Sequence, residues 1–139
     1  MTKQLWTALI CATLYSATPS FAASDFSRAL TPQVSVAGQM TTDKFQALMK
    51  DGFQSVIVNR PDQETGNAVS VNTLRSIAEK SQVSVIYQPV TSGQITQTHV
   101  EEFARYYNEL PKPILMVCRS GSRSSQLFEK AQTQGLIHE

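Results

Sequence analysis

The sequence predicts an α/β domain built on a small, mainly parallel sheet flanked by helices. Three observations predict it. Short β-branched runs alternate with apolar stripes at helical spacing, four times along the chain. One of those runs, Ile114-Leu115-Met116-Val117, is continuously apolar, as in a strand covered on both faces. The chain has 139 residues, 41% hydrophobic and 17% charged, enough for one packed core and without the charge excess of a disordered tail. Its formal charge of +1 argues against gripping nucleic acid by bulk charge, so no nucleic-acid partner is expected. Two cysteines exclude a disulfide-dense scaffold and a Cys-only zinc site. His99 and His138 match no metal-ligand spacing. Neither a metal nor another cofactor is expected.

The chain opens with MTKQLWTALICATLYSATPSFAA. Lys3 gives a positive start, Leu5 to Tyr15 is mostly apolar, and Ser20 and Ala22 put small residues at the −3 and −1 positions before Ala23. This is the layout of a secretory signal peptide over residues 1–22, with a single domain over 23–139. The apolar run is too short to span a bilayer, which takes about 20 residues. Cys11 follows bulky Ile10 too early for a lipid anchor. The expectation is an exported protein, periplasmic or secreted, with no stable membrane anchor after cleavage. Cleavage removes Lys3 and no acid, so the formal charge falls to zero, and Cys118 becomes the one remaining thiol. The oligomeric state is not readable.

The elements follow in order. Ser24 to Gln33 lacks periodicity and reads as an arm or surface loop. Val34-Ser35-Val36 reads as a short strand. Thr41-Thr42-Asp43 offers a capping hydroxyl and a first-turn acid. Phe45, Leu48 and Met49 then form one stripe, and Gly52 closes the helix. Ser55 to Val58 is a strand, and Asn59 to Gly66 is a polar loop with Pro and Gly punctuation. Ser70 caps a second helix with Leu74, Ile77 and Ala78 on its stripe. Val83 to Tyr87 is the next strand, stopped by Pro89. Thr96 or Thr98 starts a third helix, with Val100, Phe103, Ala104 and Tyr107 inward. The strand Ile114 to Val117 leads to a last helix carrying Leu127, Phe128 and Ala131, closed by Gly135.

In parallel sheets, ligands bind beyond the carboxyl ends of the strands. One such loop is Cys118-Arg119-Ser120-Gly121-Ser122-Arg123-Ser124. Gly121 and three serines keep it slim, so its N–H groups can form an anion nest. The following helix adds its free N–H groups and positive dipole end. Arg123 offers a planar fork for two oxygens of an oxyanion. These positive surroundings favour a thiolate at Cys118 over a thiol. A lone Cys after a buried strand is ordinarily a small core hydrophobe. The spacing of Arg, Gly, Arg and serines in a strand–loop–helix setting points instead to a nucleophile in an oxyanion cradle.

The string CRSGSRS resembles the active-site loop of rhodanese-type sulfurtransferases and Cys-dependent phosphatases. Together with TPQVSVAGQMTTDKFQALMKDGFQSVIVNRPDQE and Pro89-Val90, it resembles the phosphatase-like domain of beta-lactamase hydrolase-like proteins. Members of that family are also described as sulfur transferases. The similarity covers roughly Leu30 to Ala131 and implies a protein tyrosine phosphatase-like fold. It implies Cys118 as nucleophile, Arg123 as anion clamp and the amides of Arg119, Ser120, Gly121 and Ser122 as cradle. It also implies that the Ser124 hydroxyl stabilises the leaving thiolate.

The chain departs from the phosphatase pattern in three places. Four residues separate Cys118 from Arg123 where phosphatases carry five; four is the sulfurtransferase length. Val117, not His, precedes Cys118. Where dual-specificity phosphatases place their acid, this chain reads Pro89-Val90-Thr91-Ser92-Gly93. Asp62 and Glu64 are loop carboxylates able to replace it; the alternative is a turn stabilised by Asp62, with Arg60 paired to a local acid. Arg60 is also placed to line the Cys118 crevice. Three readings follow: sulfur transfer through a Cys118 persulfide, phosphoester hydrolysis through a phosphocysteine, or an oxyanion-binding module without turnover. The partner in each is a small oxyanion, a phosphoester or a sulfur donor.

Overall fold

The computed structural model describes residues 25–138. The expected signal peptide and Cys11 lie outside the described residues. Five strands and four helices form one α/β layer structure. In chain order they are β1 (Arg28–Thr31), β2 (Val34–Ala37), α1 (Thr42–Leu48), β3 (Ser55–Val58), α2 (Val71–Glu79), β4 (Ser84–Tyr87), α3 (Gln97–Glu109), β5 (Ile114–Val117) and α4 (Ser122–Thr133). The sheet order is β1-β2-β5-β3-β4. The four strands from β2 to β4 run parallel, as expected from the alternation of strands and helices. Arg28 to Thr31 corrects the expected loop: it is an edge strand, antiparallel to β2 and interrupted between Ala29 and Thr31.

β5 sits at the middle of the sheet, and its side chains alternate between the two faces. Leu115 and Val117 pack with Phe45 and Leu48 of α1 and with Val71, Leu74 and Ala78 of α2. Ile114 and Met116 pack with Val100, Phe103, Ala104 and Tyr107 of α3 and with Leu127, Phe128 and Ala131 of α4. All four β5 side chains are at most 2% exposed, which is why the run has no polar alternation. The two helix pairs therefore clamp the strand that carries Cys118 at its end.

The helix starts follow their capping residues. Thr41 Oγ1 accepts the Lys44 N–H at 3.2 Å, and Ser70 Oγ accepts that of Thr73 at 3.2 Å. Thr96 caps α3 through the His99 N–H, while His99 Nδ1 accepts the Thr96 N–H at 3.0 Å, a reciprocal capping box. His99 thus serves a helix end. α4 is different: its N-cap is Gly121, with no side-chain cap. Its N-cap residue offers no side chain to the first turn, and the Ser122 N–H turns back to Ser120 Oγ at 3.4 Å.

Candidate active site

Cys118 follows β5, and its backbone N–H donates to Ala37 O at 3.1 Å, so β2 fixes the start of the loop. The chain then crosses back over β2 through an isolated bridge between Ser120 and Gly38. A Cβ at Gly38 would lie 3.0 Å from Arg119 O and 3.2 Å from Ser120 Cα, so a larger residue there would press on the loop backbone. Gly121 adopts φ +86°, the left-handed region that favours glycine, and so reverses the chain into α4. That reversal aims the Gly121 N–H at Cys118 Sγ, 3.0 Å away. An N–H aimed at sulfur is a contact that a thiolate accepts better than a thiol. Ser125 Oγ closes the first turn on Gly121 O at 2.8 Å.

Arg123, in the first turn of α4, is 6% exposed and firmly tied. Its Nη1 donates to Val90 O at 2.8 Å, and its Nη2 to Glu64 Oε1 at 2.7 Å. The other oxygen of Glu64 accepts from Arg60 Nε at 2.7 Å. One carboxylate thus joins two guanidiniums, Arg60 and Arg123. Arg60, 3% exposed, is further held by Gln39 Oε1 at 2.5 Å and Thr65 O at 3.0 Å. Arg123 Nε is buried and without a partner among the described residues.

The Ser124 hydroxyl donates to Asn59 Oδ1 at 2.8 Å, and Asn59 Nδ2 donates to Gln88 O at 3.2 Å. A hydroxyl has a single proton, so in this arrangement Ser124 gives it to Asn59 and not to the sulfur. Asp62 Oδ1 accepts the Val71 N–H at 2.8 Å at the start of α2, and the Asp62 N–H donates to Tyr87 Oη at 2.9 Å. Of the two expectations for the NRPDQE loop, this geometry matches the stabilised turn with Arg60 paired to a local acid. Asp62 is a helix-end ligand, and Arg60 reaches the site only through Glu64.

A cavity of about 170 Å³ opens on the loop. Cys118, Arg119, Ser120, Ser122 and Arg123 line one side; Ser92, Gly93 and Ile95, before α3, and Gln126 complete it. Cys118 itself is 1% exposed, so the sulfur sits at the floor. Arg119, Ser120 and Ser122 are exposed at the rim. Among the described residues that line this cavity none is a carboxylate or an aromatic ring. The arrangement presents a sulfur nucleophile, backbone donors and a guanidinium to a small anion. Sequence reasoning missed Asn59, Gln88, Gln39 and the Val90 carbonyl as supports, and it did not foresee Glu64 as the bridge between two arginines. Each is tied to the site by a contact between segments far apart in the chain.

The description of one family, beta-lactamase hydrolase-like protein, phosphatase-like domain, matches residues 25–135. The chain belongs to this family. Curated relatives named beta-lactamase hydrolase-like protein, from Xylella fastidiosa and Agrobacterium fabrum, are each 27% identical over 96 residues, or 69% of this chain. The chain spans only 22% of the length of those relatives. Among solved structures, it is similar to a candidate phosphatase from Neisseria meningitidis, with a TM-score of 0.71, 26% identity, and coverage of 77% of this chain and 76% of that one. The active form of Tk-PTP shares the fold, with a TM-score of 0.63, 19% identity, and coverage of 80% and 74%. The protein tyrosine phosphatase-like architecture expected from the resemblance is therefore the one observed.

Proposed function

We propose that this family member is a Cys-dependent enzyme whose Cys118 thiolate accepts sulfur from a small anionic donor and passes it on. The observation that carries this reading is the cavity lining: nucleophile, donors and cation are present, and no carboxylate is among the described lining residues. Sulfur transfer needs no proton donor. The Cys118 thiolate attacks the outer sulfur of a thiosulfate-like donor, a new S–S bond forms, and sulfite leaves with the old bond's electron pair. An acceptor thiolate or cyanide then attacks the terminal sulfur of the Cys118 persulfide, and the Cys118 thiolate is restored. Charge balances at each step. Arg123 and the loop amides other than that of Gly121, which meets the sulfur, hold the sulfonate oxygens. The four-residue spacing between Cys118 and Arg123 agrees with this chemistry.

The phosphatase reading is favoured by the family and by the fold of its neighbours. There, Cys118 attacks phosphorus, and the departing alkoxide needs a proton. Glu64 already holds two guanidiniums and lies outside the cavity lining, so that reading lacks a placed acid. It is best suited to esters whose leaving oxygen departs without help. We also propose that the chain is exported; the motivating feature is the signal-peptide layout of residues 1–22, and a chain retained inside the cell with Met1 to Ala22 still attached would sink the idea.

The test of the reaction uses the purified chain and Cys118→Ser, each given thiosulfate with cyanide and, separately, an aryl phosphate. Cys118-dependent thiocyanate release is expected. Cys118-dependent phosphate release without thiocyanate would replace sulfur transfer with phosphatase chemistry. Neither product, with a reactive thiol still present, would favour an anion-binding module.

A further inference from the structure

We propose that Glu64 is a positioning residue for Arg123, and that Arg60 holds it in that role. The inference rests on reading Arg123 as the anion clamp of the Cys118 site.

A guanidinium offers five N–H donors in a rigid fork. In Arg123, Nη1 is committed to Val90 O and Nη2 to Glu64 Oε1. Neither Val90 nor Glu64 lines the Cys118 cavity, whereas Arg123 does. Those two bonds therefore turn their N–H groups away from the cavity and fix the plane of the fork. Of the three N–H groups that remain, one sits on Nε, the guanidinium nitrogen that is buried and has no partner among the described residues. Buried donors are normally satisfied, so an unspent one on a cavity-lining arginine marks the edge that a ligand completes.

Glu64 cannot hold this position by itself, because it comes from a polar loop and is 19% exposed. Arg60 supplies the hold. It is 3% exposed, and it grips the second oxygen of Glu64 while tied to Gln39 and Thr65. Gln39 Nε2 in turn donates to Gly66 O at 3.0 Å, which ties the loop to the segment after β2. The charge count has a consequence as well. Two guanidiniums share one carboxylate, so the trio retains a net positive charge beside the sulfur. A one-to-one Arg123–Glu64 pair would be neutral and would attract an anion far less.

Position and charge can be separated by experiment. Cys118 alkylation by iodoacetate, an anion, is compared with alkylation by neutral iodoacetamide. In both, the sulfur bonds to the methylene carbon and iodide leaves with the bonding pair. The ratio of the two rates reads anion recognition at the thiol and requires no turnover. Failure of both turnover assays would therefore count against the proposed reaction and leave this test intact. Glu64→Gln adds a net positive charge to the site but removes the bidentate hold. The ratio is expected to fall about fivefold, although simple charge attraction would raise it. Arg60→Gln is expected to lower the ratio as well, and Arg60→Lys to restore much of it, because the cation is returned. Glu64→Asp, too short to span both arginines, serves if Glu64→Gln does not fold, and the same fall is expected. An unchanged or increased ratio in the Glu64 variants would overturn the proposal, as would an Arg60→Lys variant no better than Arg60→Gln.

Discussion

Ser124 and Gly121 show how single residues in one loop divide their labour. Gly121 spends its backbone freedom on a left-handed turn that no other residue adopts cheaply, and its N–H meets the sulfur. Ser124 is fully buried, and its hydroxyl satisfies Asn59 Oδ1. The resemblance implies a leaving-group role for this hydroxyl; the observed bond gives it a structural one. Ser124→Ala leaves the Asn59 oxygen buried without its donor, which costs about 1–3 kcal/mol. Urea unfolding should show that loss, while the iodoacetate-to-iodoacetamide ratio stays near that of the unaltered protein. An unaltered midpoint would mean that Asn59 finds another donor. The loop motif itself was legible, because nucleophile, glycine and arginine are contiguous. The supports behind it were not. Glu64 and Arg123 stand 59 residues apart, and only the folded sheet brings them to 2.7 Å.

At the scale of elements, β5 organises the fold. It lies between β2 and β3, and both helix pairs pack against it. Leu115 is fully buried in the layer shared with α1 and α2. Leu115→Ala should cost about 2–5 kcal/mol, the range for deleting a large aliphatic side chain from a packed core. Thermal or urea unfolding reads it directly, and a loss well below that range would mean that the layer collapses to fill the space. The buried strands and the three side-chain caps were readable, because hydrophobic periodicity and capping chemistry are local signals. β1 was not. Arg28 and Ala29 are exposed, Leu30 and Thr31 are only half-buried, and the register slips within the strand. An edge strand with no fully buried residue leaves no alternation to read.

For the whole molecule, the formal charge is +1, and no long-range field selects a partner. Selection is local: one cavity, one buried thiol, and a cation pair that shares a single carboxylate. The parallel sheet brings this about by placing the ends of β3 and β5 side by side. The Asn59 N–H donates to Val117 O at 2.8 Å, so the NRPDQE loop begins next to the residue before Cys118. The β4–α3 segment joins through Val90, whose N–H donates to Asn59 O at 2.9 Å. Three loops at one end of the sheet, read separately in the sequence, become one site. The proposed role of Cys118 as a sulfur carrier is read from the intact mass of the purified chain after brief exposure to thiosulfate and removal of the excess. A species heavier by one sulfur atom is expected, absent from Cys118→Ser and discharged by cyanide. An unmodified mass with Cys118 still free to alkylate, or an adduct that persists in Cys118→Ser, would contradict it.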